Sequence, residues 1–84
     1  MRIVYDEIKR QTNLAKHGLD MADIDEEFFF SATIEPAKKG RSLAIGRFNG
    51  ILVVAVIFRP LGSEALSLIS MRPASDNERR RFDG

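Results

Sequence analysis

The chain has 84 residues, 44% hydrophobic and 30% charged, the composition of one ordinary soluble domain spanning 1–84 with a single modest core. It has no cysteine, which excludes disulfides, thiol chemistry and cysteine-rich zinc sites, and one histidine is too few for a histidine-based metal site. The longest apolar run, Ile51 to Phe58, is far short of a membrane span, and charge replaces the apolar stretch of a signal peptide at the start, so a cytoplasmic location is expected.

Arg2 to Tyr5 reads as a short first strand. Asp6 is placed to cap a helix that ends at Gly18, where a left-handed residue is wanted. Ile8 and Ala15, seven apart, are expected to face the core with Thr12 between them. Lys9, Asn13 and Lys16 fall on one face of this helix and His17 at its edge, a polar row able to hold a phosphate. Asp20 then restarts a helix in which Met21, Ile24 and Phe28 form a buried stripe. Two of Phe28, Phe29 and Phe30 are expected to enter the core.

Thr33 to Glu35 begins a second strand, and Pro36 to Gly40 reads as a basic loop. Ser42 to Phe48 alternates, with Leu43 and Ile45 on one face. Asn49-Gly50 is a strong hairpin signal, because both turn positions want positive φ. Folding there pairs Phe48 with Ile51 and Arg47 with Leu52, which brings Arg41 near Phe58 and Arg59. Ile51 to Phe58 is apolar on both faces and is expected to be a central strand. Pro60 to Ser63 makes a second turn, and Ala65 to Met71 a last strand paired back on the central one. Ser75-Asp76-Asn77-Glu78 has capping-box spacing and starts a short helix that stops at Gly84. The order of elements predicts an α+β domain.

Thirteen basic residues against twelve acidic ones give a net charge of +1. Five acids, Asp20, Asp23, Asp25, Glu26 and Glu27, stand together without a cation, so the rest of the chain sums to +6. That excess suits a local basic surface, and the acidic group also reads as a solvated helix end. Metal-free RNA cleavage needs a base for the 2′-hydroxyl, an acid for the 5′-oxygen and cations for the phosphorane. Arginines and lysines supply the cations, and imidazole moves protons near neutral pH. His17 has a second reading, as a helix-end donor to the last carbonyls.

Tyr5-Asp6-Glu7-x-Lys9, Asn13, Lys16-His17-Gly18, Gly46, Gly50, the apolar strand ending at Arg59, Ile69-Ser70-x-Arg72 with Ala74, and Glu78-Arg79 together resemble the BrnT toxins. The match runs in order over nearly the whole chain. The resemblance implies a RelE-like fold: an antiparallel sheet with two N-terminal helices and a short C-terminal one. It implies a metal-independent endoribonuclease of a type II toxin–antitoxin pair, without a cofactor, that slows translation and growth. It also implies a BrnA-like ribbon-helix-helix antitoxin that blocks the toxin and brings it to operator DNA. Carried over residue by residue, the site candidates are Lys16, His17, Arg59, Arg72 and Arg79. Arg59 and Arg72 are cast as phosphate clamps, Lys16 or His17 as the proton-transfer group, and Arg79 as an RNA or antitoxin contact. Two departures are Ser67, where many relatives have a basic residue, and the short C-terminal helix with Phe82. A different class of function, a non-catalytic antitoxin-binding corepressor, needs only an apolar groove. Direct DNA binding is disfavoured by the near-neutral charge and by the lack of a recognition-helix pattern.

Overall fold

A computed structural model describes residues 1–50 and 52–83; Ile51, the expected start of the central strand, and Gly84, the expected helix end, lie outside the described residues. Strand β1 spans Arg2–Tyr5 and leads into helix α1, Glu7–His17. Asp6 caps α1 by accepting the N–H groups of Ile8 at 2.8 Å and Lys9 at 3.2 Å. Gly18 closes it in the left-handed region, φ 69°, donating its N–H to Leu14 at 2.8 Å.

The expected single helix from Asp20 is two pieces. Asp20 caps a 3-10 turn, Met21–Asp23, by accepting the Ala22 N–H at 2.9 Å. Ile24 is extended, and Asp25 then caps helix α2, Glu26–Ser31, through the Phe28 N–H at 3.2 Å. Each short carboxylate offers the backbone a local partner that competes with a continuous helix. Met21, Ile24 and Phe28 are nevertheless all buried, Phe29 packs against them, and Phe30 is 74% exposed.

Strand β2 is Thr33–Pro36, followed by a 3-10 turn at Lys38–Gly40 and strand β3, Ser42–Phe48. Strand β4, Leu52–Leu61, runs through Pro60 to a turn at Gly62, so the second turn falls later than expected. Strand β5 is Ala65–Pro73, and helix α3 is Asp76–Asp83. The sheet order is β1-β5-β4-β3-β2. The β2–β3–β4–β5 pairs are antiparallel, but β1 joins β5 in parallel, so the sheet is not wholly antiparallel.

Asn49 and Gly50 adopt positive φ, 53° and 74°, yet the ladder closes on Phe48 opposite Leu52 and Arg47 opposite Val53. The expected pairing was one residue out. A strand apolar on both faces does not penalise that slip, which elsewhere would turn a core face to solvent. The main core lies on the face covered by Leu19, Met21, Ile24 and Phe28, against Val54, Val56, Phe58, Leu66, Leu68 and Met71. The second face, Leu43, Ile45, Val53 and Ala55, is covered in part by Ala74 and by Phe82 of α3. Among the described residues, no helix is long and apolar enough to cross a membrane.

Candidate active site

Strand β1 is short. It covers β5 only from Ala65 to Leu68, and a bulge follows, since Phe58 pairs with Leu68 but Ile57 with Ser70. The rest of that β5 edge is taken by α1. Asn13, 7% exposed, is the one buried residue of the helix. Its Oδ1 accepts the Met71 N–H at 3.0 Å, and its Nδ2 donates to the Leu19 carbonyl at 3.3 Å. A side-chain amide thus does for β5 what a neighbouring strand would do, satisfying a buried backbone donor.

Arg10, one turn earlier on the same face, adds a second tie. Its Nε and Nη2 hold the two Asp20 oxygens at 2.7 and 2.8 Å. This contact keeps the Asp20 carboxyl down at about 2, chiefly through the Arg10 hydrogen bond and then the Ala22 N–H. The expectation that Ile8, Thr12 and Ala15 face the core is overturned: all three are exposed, Ile8 at 75%. An amide and an ion pair dock α1, in place of an apolar stripe.

Held this way, α1 presents Lys9, Thr12, Lys16 and His17 across a cleft of about 420 Å³ to Ile69, Ser70 and Arg72 of β5. Ile8 forms part of the wall, and among the described residues no carboxylate lines it. Lys9, Asn13, Lys16 and His17 do share one surface, as their spacing requires, but the Asn13 amide is spent on the backbone.

Arg72 is anchored from α3. Its Nη1 and Nη2 meet the two Glu78 oxygens at 2.6 and 2.8 Å. Glu78 in turn accepts the Ser75 N–H at 2.9 Å, while the Ser75 hydroxyl accepts the Glu78 N–H at 3.2 Å, a complete capping box. The Arg72 hydrogen bond is the main reason the Glu78 carboxyl is held down at about 2; the Ser75 contacts reinforce it and burial opposes it. The Arg72 guanidinium is raised by the same contact. The Glu78 side chain is 9% exposed and that of Arg72 38%, so the arginine keeps a free side toward the cleft.

Of the five candidates, Lys16, His17 and Arg72 come together. Arg59 does not line the cleft. It faces Ser67 across the sheet and lies four positions along β4 from Ala55, the partner of Arg72, a run of about 13 Å along one face. Arg79 is exposed on α3 in a shallow hollow with Asp76, Arg80 and Asp83, also outside the cleft. Sequence reasoning missed Glu78 as the partner of Arg72, although its capping-box spacing marked it as fixed in place. The buried role of Asn13 has no such signal.

Among the described residues, no three of His, Asp and Glu gather as a metal cluster. Asp23, Asp25 and Glu27 line a separate hollow with Arg47, Asn49 and Gly50 at the tip of the β3–β4 hairpin.

Residues 5–78 match the family model described as the ribonuclease toxin BrnT of a type II toxin–antitoxin system. The chain is also similar to the Brucella abortus ribonuclease toxin BrnT in its 1.1 Å crystal structure. The two are 63% identical, the match covers 90% of this chain and 99% of that one, and the TM-score is 0.85. No curated protein matches.

Proposed function

Because the chain belongs to the BrnT family of type II ribonuclease toxins, we propose that the α1–β5 cleft is its RNA-cleaving site and works without a metal. The convergence of Lys16, His17 and Arg72 on one carboxylate-free cleft carries this reading. His17 takes the proton of the 2′-hydroxyl as that oxygen attacks phosphorus. Arg72, oriented by Glu78, holds the phosphate oxygens as charge builds on the phosphorane. Lys16 protonates the departing 5′-oxygen, and Lys9 adds positive charge at the rim. The products are a 2′,3′-cyclic phosphate and a 5′-hydroxyl end.

Arg59 lies too far along the sheet for the same phosphate and clamps the RNA chain instead. Arg79, outside the cleft on α3, suits an antitoxin contact. The partner on this reading is a BrnA-like antitoxin with a ribbon-helix-helix part, which covers the cleft and alone brings the toxin to operator DNA. The exposed Ile8 at the cleft wall gives such a partner an apolar anchor. The fold is read as RelE-like, and the toxin acts on RNA in the cytoplasm, slowing translation and growth.

The test is growth and total-RNA integrity after induction of the chain alone, beside His17→Ala and Arg72→Ala. Growth arrest with RNA loss, abolished by Arg72→Ala, is the expected result. Normal growth and intact RNA with soluble, folded protein would sink the nuclease in favour of a non-catalytic corepressor.

A further inference from the structure

The β3–β4 ladder ends at Ser42 opposite Phe58. Continued by one position, that register sets Arg41 opposite Arg59, on the side of the sheet shared by Leu43, Ile57 and Arg72. Like charges directly opposed across strands repel. Neither arginine has an ion-pair partner among the described residues. Arg41 is half-buried, and its Nε is buried without a hydrogen-bond partner among them. A buried guanidinium N–H in that state costs stability unless an acceptor meets it. Lys38 and Lys39 stand on the adjoining 3-10 turn, which is tied to Arg41 by the Arg41 N–H to Lys38 carbonyl bond at 3.2 Å. Cations thus collect at this sheet end; among the described residues no carboxylate pairs with Arg41 or Arg59, and Glu35, opposite Leu43, is taken by Arg81.

We propose that Arg41 and Arg59 form a second phosphate subsite, which takes an RNA phosphodiester flanking the one held at Arg72. The inference rests on the nuclease reading and extends it. An anion between the two guanidinium groups removes their repulsion and gives both a charge-assisted acceptor. The single strand then lies along the β4–β5 face, with Ile57 and Ser70 between the two phosphates.

Binding of a 2′-O-methylated single-stranded RNA oligonucleotide, which lacks the attacking hydroxyl, is measured by fluorescence anisotropy over a salt series. Arg41→Gln is expected to weaken binding about ten-fold and to lower the salt slope by about 0.7. Arg41→Lys restores the slope. The Arg41→Gln, Arg59→Gln pair together loses little more than either alone, as for two residues sharing one ligand. With cleavable RNA, Arg41→Gln raises KM and spares kcat, whereas Arg72→Ala lowers kcat.

Unchanged affinity and slope in a folded Arg41→Gln protein that still cuts RNA would overturn the subsite and leave the nuclease standing. A parent protein that neither binds nor cuts RNA would overturn both. Arg59→Gln, at an exposed position, makes the same prediction if Arg41→Gln does not fold.

Discussion

Glu78 grips Arg72 through both carboxylate oxygens, at 2.6 and 2.8 Å, from a helix whose first turn the same residue caps. One side chain therefore begins α3 and aims the arginine that faces the cleft. Stability and site geometry are coupled at this residue. The arrangement resembles other planar, two-bond arginine–carboxylate contacts, in which a lysine cannot substitute without loss of geometry.

Glu78→Ala removes the side-chain half of the capping box and leaves a half-buried guanidinium without its carboxylate. A loss of about 2 kcal/mol is expected in urea unfolding. RNA cleavage is expected to fall further than the unfolded fraction accounts for, because Arg72 loses its orientation. A variant that loses stability but keeps the parent's kcat would separate the two roles.

Two carboxylates make the fold weaker in acid. Glu78 and Asp20 titrate at about 2 in the folded protein, against ordinary values of 4.5 and 3.8. Their folded values are lowered, so the stability they contribute is complete above the ordinary values and is lost as pH falls toward about 2. The urea midpoint should be level down to roughly pH 5 and then decline. In Glu78→Gln the decline should be shallower, since one of the two groups no longer titrates; an identical slope would show that the Arg72–Glu78 contact is not made in solution.

Gly46 has no room for a side chain. A Cβ there would lie 2.9 Å from Phe28 Cε1 and 3.2 Å from Ala32 Cβ. Gly46→Ala should cost about 1–3 kcal/mol by pushing α2 from the sheet. Phe28→Leu in the same chain should recover part of that loss, which a thermal-unfolding double-mutant cycle can read.

Asn13→Ala leaves the Met71 N–H and the Leu19 carbonyl without their side-chain partner, at an expected cost of about 2–3 kcal/mol. Asn13→Asp is the sharper experiment. An ionised carboxylate still accepts from Met71 but cannot donate to Leu19; a protonated one can do both. The Asp variant should therefore regain stability relative to the parent as pH falls through its own titration, until the loss at Glu78 and Asp20 intervenes. A constant difference across pH would mean that the Leu19 contact contributes nothing.

The strands, the caps at Asp6 and Ser75, the Gly18 stop and the Asn49-Gly50 turn were legible because each rests on a local rule. The burial of Asn13 was not. An amide on a helix reads as surface, and only the bare edge of β5, created by a short parallel β1, draws it inward. Pairing of β1 with β5 is itself invisible to pattern, since it joins the two ends of the chain. The break at Ile24 was hidden because Met21, Ile24 and Phe28 are buried with or without a continuous helix. At the cleft, spacing grouped Lys16 with His17 correctly. The separation of Arg59 from Arg72 depends on strand register, which an all-apolar strand does not encode.

Placement of the charges gives the molecule an electrical axis. Asp23, Asp25 and Glu27 gather at the hairpin tip, and Arg41 and Arg59 stand at the other end of the same two strands, roughly 20 Å away. The longest extent of the protein is only 31 Å. A polyanion approaching in dilute salt therefore meets a torque as well as an attraction, one that turns the basic end toward it and the acidic tip away. A net charge of +1 conceals this polarity of approach, which fades as the screening length drops below the spacing of the two poles.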